Sequence, residues 1–143
     1  MAALTRGRLL AVDYGDKRVG LAISDPTGTI ASPAGFIERR AGKRPPVAEL
    51  MRRAEALEAK GFVLGLPLDG GGEETPRCAE VRVVGALLEQ RTGLPVRYVD
   101  ERYTTSAALR SVREMGGSVK GRKGDVDAMA AALLLQHALN LPE

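Results

Sequence analysis

Residues 9–25 read LLAVDYGDKRVGLAISD, and the fold turns on this stretch. Two short apolar runs, 8–14 and 18–24, are joined by a turn containing Gly15, a pattern that predicts an antiparallel strand pair. The first run closes on a carboxylate, Asp13, and the turn carries Asp16, Lys17 and Arg18. A hairpin needs a turn at this point, but it does not need an acid followed by two cations. The ionic content therefore asks for a chemical explanation.

Reading outward, 29–37 (TIASPAGFI) predicts a third strand, and Pro33 and Gly35 place it at a sheet edge. From Pro45 the period changes: Val47, Leu50, Met51, Ala54 and Leu57 recur at helical spacing, and Gly61 ends the helix. A buried strand over 62–66 leads into a glycine-rich loop, PLDGGGEETP, and then a helix over 76–92 stops before Gly93. PVRYVDE is a strand ending on two carboxylates. A shorter helix runs from Thr104 or Thr105 to Met115, a basic glycine-rich loop follows, and a final helix spans Asp125 to Asn140. Ala128, Ala130, Ala131 and Ala132 would let that helix lie close against a sheet. The order β-β-β-α-β-α-β-α-α describes an α/β protein, a mixed sheet with helices packed on it, in a single domain over 1–143.

The 143 residues, 44% of them hydrophobic, suffice for one core and not for two. The apolar part of MAALTRGRLLAV is too short for a signal sequence, and nothing later reaches membrane-spanning length, so the expected compartment is the cytoplasm, with no membrane partner. Cys78 is the sole cysteine and His137 the sole histidine, which excludes a disulfide framework and a Cys/His zinc site. Cys78 is expected as a buried thiol within a helix. The net charge is +3, and the cations cluster: Arg39, Arg40, Lys43 and Arg44, then Arg52 and Arg53, then Arg110, Arg113, Lys120, Arg122 and Lys123. Clustering of this kind suits an anionic partner such as nucleic acid, against the plainer reading of solvated faces. Aromatic residues are 3% with no Trp, so a partner held by phosphates and shape fits better than one read by base stacking.

Three acidic positions stand where open α/β sheets build sites: Asp13 ending the first strand, Asp100 and Glu101 ending the last, and Asp125 and Asp127 opening the final helix. Each has a local explanation, as a turn or a helix cap. Together they point elsewhere, because gathered carboxylates repel unless a cation neutralises them, and oxygen ligands suit Mg²⁺ or Mn²⁺. Two such ions about 4 Å apart activate water and stabilise the leaving oxygen in phosphodiester hydrolysis, with no histidine base. Residues two apart on a helix point roughly 200° from each other, which favours Asp127 as ligand and Asp125 as cap. On the strand, alternation does not choose between Asp100 and Glu101.

LLAVDYGDKRVGLAISD, LGLPLDGGGEE, VDERYTT and KGDVDAMAAALLLQ occur in the order and spacing of the YqgF family, also called RuvX, within the RNase H-like superfamily, which the chain resembles from about Leu9 to Leu139. The resemblance implies a five-stranded mixed sheet in the order 3-2-1-4-5, strand 2 antiparallel, flanked by helices. It implies a metal-dependent endonuclease acting on structured nucleic acid, with two Mg²⁺ or Mn²⁺ ions. The family's catalytic and metal-binding acids fall on Asp13, Glu101 and Asp127, with Asp13 bridging both ions. Arg18 would contact a phosphate or pair with an acid; Lys17 beside it suits a phosphate. Arg102 and Thr104 or Thr105 would steady the site, and Lys120, Arg122 and Lys123 would attract the nucleic-acid backbone.

The substrate implied is either the 5′ region of the 16S rRNA precursor or a four-way DNA junction, the latter requiring two active sites and so a symmetric dimer. Two other classes compete with the nuclease. Nucleotide-binding proteins of the actin, sugar kinase and Hsp70 type clamp ATP between two copies of such a fold, and 143 residues supply one. A ribosome-assembly binding module without catalysis would share the fold but tolerate loss of the acids.

Overall fold

The computed structural model describes residues 7–39, 44–102 and 123–142. The first apolar run forms β1 (Leu9–Tyr14), and all six of its residues are buried. Burial on both faces marks a central strand covered on each side. β2 (Arg18–Ser24) pairs with β1 antiparallel, with Asp13 opposite Gly20 and Tyr14 opposite Val19. β3 (Ala31–Glu38) pairs antiparallel with β2 at the sheet edge, as Pro33 and Gly35 predict. The register shifts between Gly20 and Ala22, and Gly35, on the edge strand opposite, takes φ 88°, which a side chain would resist.

β4 (Gly61–Leu66) lies parallel to β1 on its other side, and β5 (Val96–Asp100) lies parallel to β4. The sheet order is therefore 3-2-1-4-5 with β2 antiparallel to β1, the expected arrangement. Helices α1 (Val47–Ala56) and α2 (Pro76–Thr92) join these strands, and α3 (Lys123–Asn140) follows β5 among the described elements. The helix expected over 104–115 and the basic loop after it lie outside the described residues.

Alternation along the strands separates two cores. Leu10, Val12, Tyr14, Phe62 and Leu64 pack with Leu50 of α1 and Val81, Val84 and Leu88 of α2. Leu9, Ala11, Ala22, Val63 and Val99 pack on the other face with Ala131, Leu134, Leu135 and Ala138 of α3. Cys78 is buried in the first core, as an inert thiol should be.

Two helix boundaries differ from expectation. α1 ends at Ala56 rather than near Gly61, because Glu58 adopts φ 57° and the Ala59 N–H caps back onto the Ala54 carbonyl at 2.9 Å. Gly61 instead opens β4. α3 begins at Lys123, so Asp125 is an exposed residue of its first turn and not its cap.

Candidate active site

Asp13, Glu101 and Asp127 are, with Ser24, the buried polar or charged residues among those described, at 3%, 3% and 4% exposure. Strand alternation sets their direction. Asp13 continues the side of β1 that carries Leu9 and Ala11, the face covered by α3. Glu101 continues the side of β5 that carries Val99, and its N–H reaches the Leu66 carbonyl at 3.3 Å, extending the ladder one residue past β5.

Two glycines flank Asp13 in the sheet. Gly20 is its partner on β2, and Gly65 stands one step beyond the Val12–Leu64 pair on β4. A Cβ on Gly20 would lie 2.1 Å from the Asp127 carbonyl oxygen, so the start of α3 rests directly on β2 there. A Cβ on Gly65 would lie 2.9 Å from Glu101 Oε2, so the Glu101 carboxylate lies over β4. Asp13 thus has the Asp127 backbone on one side and the Glu101 carboxylate on the other. Neither glycine was singled out from the sequence; the signal was glycine inside an otherwise large-residue apolar strand, which marks a close approach.

Arg18 is on the same face of β2 as Gly20 and reaches Asp127: Arg18 Nε donates to Asp127 Oδ2 at 2.9 Å, with 13% and 6% of the two side chains exposed. Of the two roles expected for Arg18, pairing with an acid is the one this geometry displays. Lys17 is exposed at the turn.

Burial, reinforced by the like charge of Asp100 and opposed by Arg77, pushes the Glu101 carboxyl up from 4.5 to about 7. Its neighbour behaves oppositely. Asp100 accepts a fork from Arg102, at 3.1 Å from Nε and 2.9 Å from Nη2, and this holds its carboxyl below the ordinary range. Arg102 also donates to the Asp69 carbonyl at 3.2 Å, pinning the glycine-rich loop to the end of β5. Thr104, Thr105, Lys120 and Arg122 lie outside the described residues, as does the Lys123 side chain.

Among the described residues, no three Asp, Glu, His or Cys side chains are gathered tightly enough, as placed, to hold a metal ion. Donor chemistry and location nevertheless suit one. The buried carboxylates around Asp13 offer oxygen alone, while His137 is exposed on α3 and Cys78 lies in the opposite core. One oxygen of Asp127 is engaged by Arg18 in this arrangement.

A family profile described as "RuvX: Holliday junction resolvase" matches residues 7–141. The chain belongs to the RuvX family. A relative from Paramagnetospirillum magneticum is 43% identical over 142 residues, covering 98% of this chain and 90% of the relative. One from Koribacter versatilis is 40% identical over 130 residues, covering 91% and 84%. Both carry the name "Putative pre-16S rRNA nuclease". Among solved structures, Thermus thermophilus RuvC in complex with Holliday junction substrate superposes with a TM-score of 0.55 at 13% identity, covering 94% of each chain. At that identity the likeness establishes that this RuvX chain has the RNase H-like fold.

Proposed function

We propose that this chain is a metal-dependent endonuclease that hydrolyses phosphodiester bonds in structured RNA, with the 5′ region of the 16S rRNA precursor as substrate. Membership of the RuvX family and the name borne by relatives at 36–43% identity support the reading. The observation that carries it is the setting of Asp13, with glycines on both neighbouring strands so that Glu101 and the start of α3 close in on it.

Asp13, Glu101 and Asp127 would hold Mg²⁺ or Mn²⁺, as two ions, which when bound supply an activated water and charge neutralisation at the leaving oxygen. The chain's own residues do the rest. The sheet fixes Asp13, whose two oxygens are shielded from solvent. Glu101 keeps its proton up to about pH 7 and must release it to act as a ligand. Arg18 holds the Asp127 carboxylate beside β2. Lys17, with Lys120, Arg122 and Lys123, would supply positive charge for the RNA backbone, and Arg102 with Thr104 or Thr105 would steady the site.

Among the described residues no helix is long and apolar enough to cross a membrane. A cytoplasmic location is proposed together with the rRNA precursor as substrate, and rests on it. The family description favours a second substrate, the four-way DNA junction, which would require a symmetric dimer.

Cleavage of a precursor rRNA fragment and of a synthetic junction, side by side with Mg²⁺ or Mn²⁺, tests the assignment. The RNA is expected to be cut, and Asp13→Asn, Glu101→Gln and Asp127→Asn are each expected to slow cleavage by about a hundredfold or more. Cutting confined to the junction would move the substrate to DNA. Cleavage indifferent to all three substitutions would leave a binding module.

A further inference from the structure

The backbone carbonyls of Tyr14 and Gly15, the two residues after Asp13, are held by two different arginines. Arg77, in the first turn of α2, donates from Nη1 to the Tyr14 carbonyl at 3.4 Å. Arg39, just past β3, donates from Nη1 to the Gly15 carbonyl at 2.7 Å. Glu80, one turn along α2 from Arg77, joins the two: its Oε1 lies 3.3 Å from Arg77 Nε and its Oε2 lies 2.9 Å from Arg39 Nη2. Arg39 also stacks over the Tyr14 ring at 4.2 Å, and Arg77 pairs with the Asp16 carboxylate.

Local preference does not account for Arg77. A cation in the first turn opposes the positive end of the helix dipole, and α2 has no acid in that turn to offset it. Its place is explained by what it holds. The turn itself has one short backbone bond, Gly15 N–H to the Arg18 carbonyl at 3.0 Å, so its geometry depends on contacts from outside. At one end of that turn stands Asp13, and at the other Arg18, which holds Asp127.

We infer that Arg77 is a positioning residue for the Asp13 edge of the site, acting with Arg39 through Glu80 to fix the β1–β2 turn. The guanidinium forms a bridge between α2 and the turn; a lysine, with a single ammonium, keeps the charge but cannot span the Tyr14 carbonyl, Asp16 and Glu80 together. The effect on cleavage rests on the nuclease reading above, whereas the effect on the turn does not.

The test compares wild type with Arg77→Gln and Arg77→Lys by amide hydrogen exchange, thermal melting and cleavage kinetics. Exchange at the Gly15 amide is expected to rise about tenfold in Arg77→Gln and less in Arg77→Lys, with both melting within a few degrees of wild type. In cleavage, kcat is expected to fall about tenfold with KM changed less than twofold, Arg77→Lys lying between. Wild-type exchange at Gly15 in both variants would overturn the proposal, whatever the activity. So would a raised KM with kcat unchanged, which would make Arg77 a substrate contact. Loss of turn protection in the Arg77 variants, together with a wild-type protein that cuts neither nucleic acid, would sustain the clamp and sink the nuclease reading alone.

Discussion

Arg18 Nε stands 2.9 Å from Asp127 Oδ2, an ion pair that joins the turn after β1 to the first turns of α3 across 109 residues of sequence. Both groups are largely shielded, so removing the cation leaves a buried carboxylate near other acids, and breaking such a pair costs about 3 kcal/mol. The pair also occupies an oxygen that a divalent ion would take. Arg18→Met is therefore expected to lower the melting temperature in chelator and to recover more of it with Mn²⁺ than wild type does. Calorimetric titration should show tighter Mn²⁺ binding in the variant; weaker binding would mean that Arg18 holds Asp127 in its ligating pose.

Glu101 gives the protein a pH signature. Its folded pKa, raised from 4.5 to about 7, means the native state binds more protons than the unfolded chain between those values. Stability from this group is complete below pH 4.5 and is lost as pH rises through about 7, an effect on the order of 3 kcal/mol. Carboxylates with lowered pKa, such as Asp100, act in the opposite sense at lower pH. Urea unfolding of metal-free protein between pH 5 and 8 should show wild type losing stability relative to Glu101→Gln, with the difference levelling off above pH 8. A constant difference would place the Glu101 carboxyl in the ordinary range.

The two glycines beside Asp13 should respond differently to alanine. At Gly20 the new Cβ meets the Asp127 carbonyl at 2.1 Å, a backbone atom that moves only with the helix. Gly20→Ala is expected to cost about 3 kcal/mol by displacing α3. At Gly65 the contacts are side-chain ends, Glu101 Oε2 and Leu134 Cδ2, both at 2.9 Å. Gly65→Ala should cost about 1 kcal/mol in stability, yet reduce metal-dependent cleavage far more, since the atom that gives way is a carboxylate oxygen. Denaturant titrations beside cleavage rates separate the two outcomes.

Glu58, with φ 57° at the end of α1, holds a left-handed conformation that suits glycine. Glu58→Gly should stabilise the protein by about 1 kcal/mol in urea titration, with cleavage unchanged.

Much of the fold was legible from local pattern. The runs at 8–14 and 18–24 show strand length and a turn, Pro33 and Gly35 mark the edge, and helical spacing from Val47 places α1. The ends of α1 and α3 were less so, because one depends on a left-handed Glu58 and the other on a start two residues before the acid that resembles a cap. The motifs singled out Asp13, Glu101 and Asp127, and alternation along β1 and β5 follows directly from spacing. The glycine cradle, the choice of Asp127 as the acid that Arg18 pairs with, and the Arg77, Glu80 and Arg39 clamp were not legible.

The amino-acid order by itself determined which residues form strands and helices, and which side of each element a residue takes, since those depend on neighbours two to four positions away. Tertiary structure alone decided that Gly20 lies under Asp127, that Glu101 lies over Gly65, and which acid Arg18 engages. Such contacts join residues about 36 to 109 positions apart and exist only once β5 has paired with β4 and α3 has docked on the sheet, because no short-range preference encodes the distance between two elements.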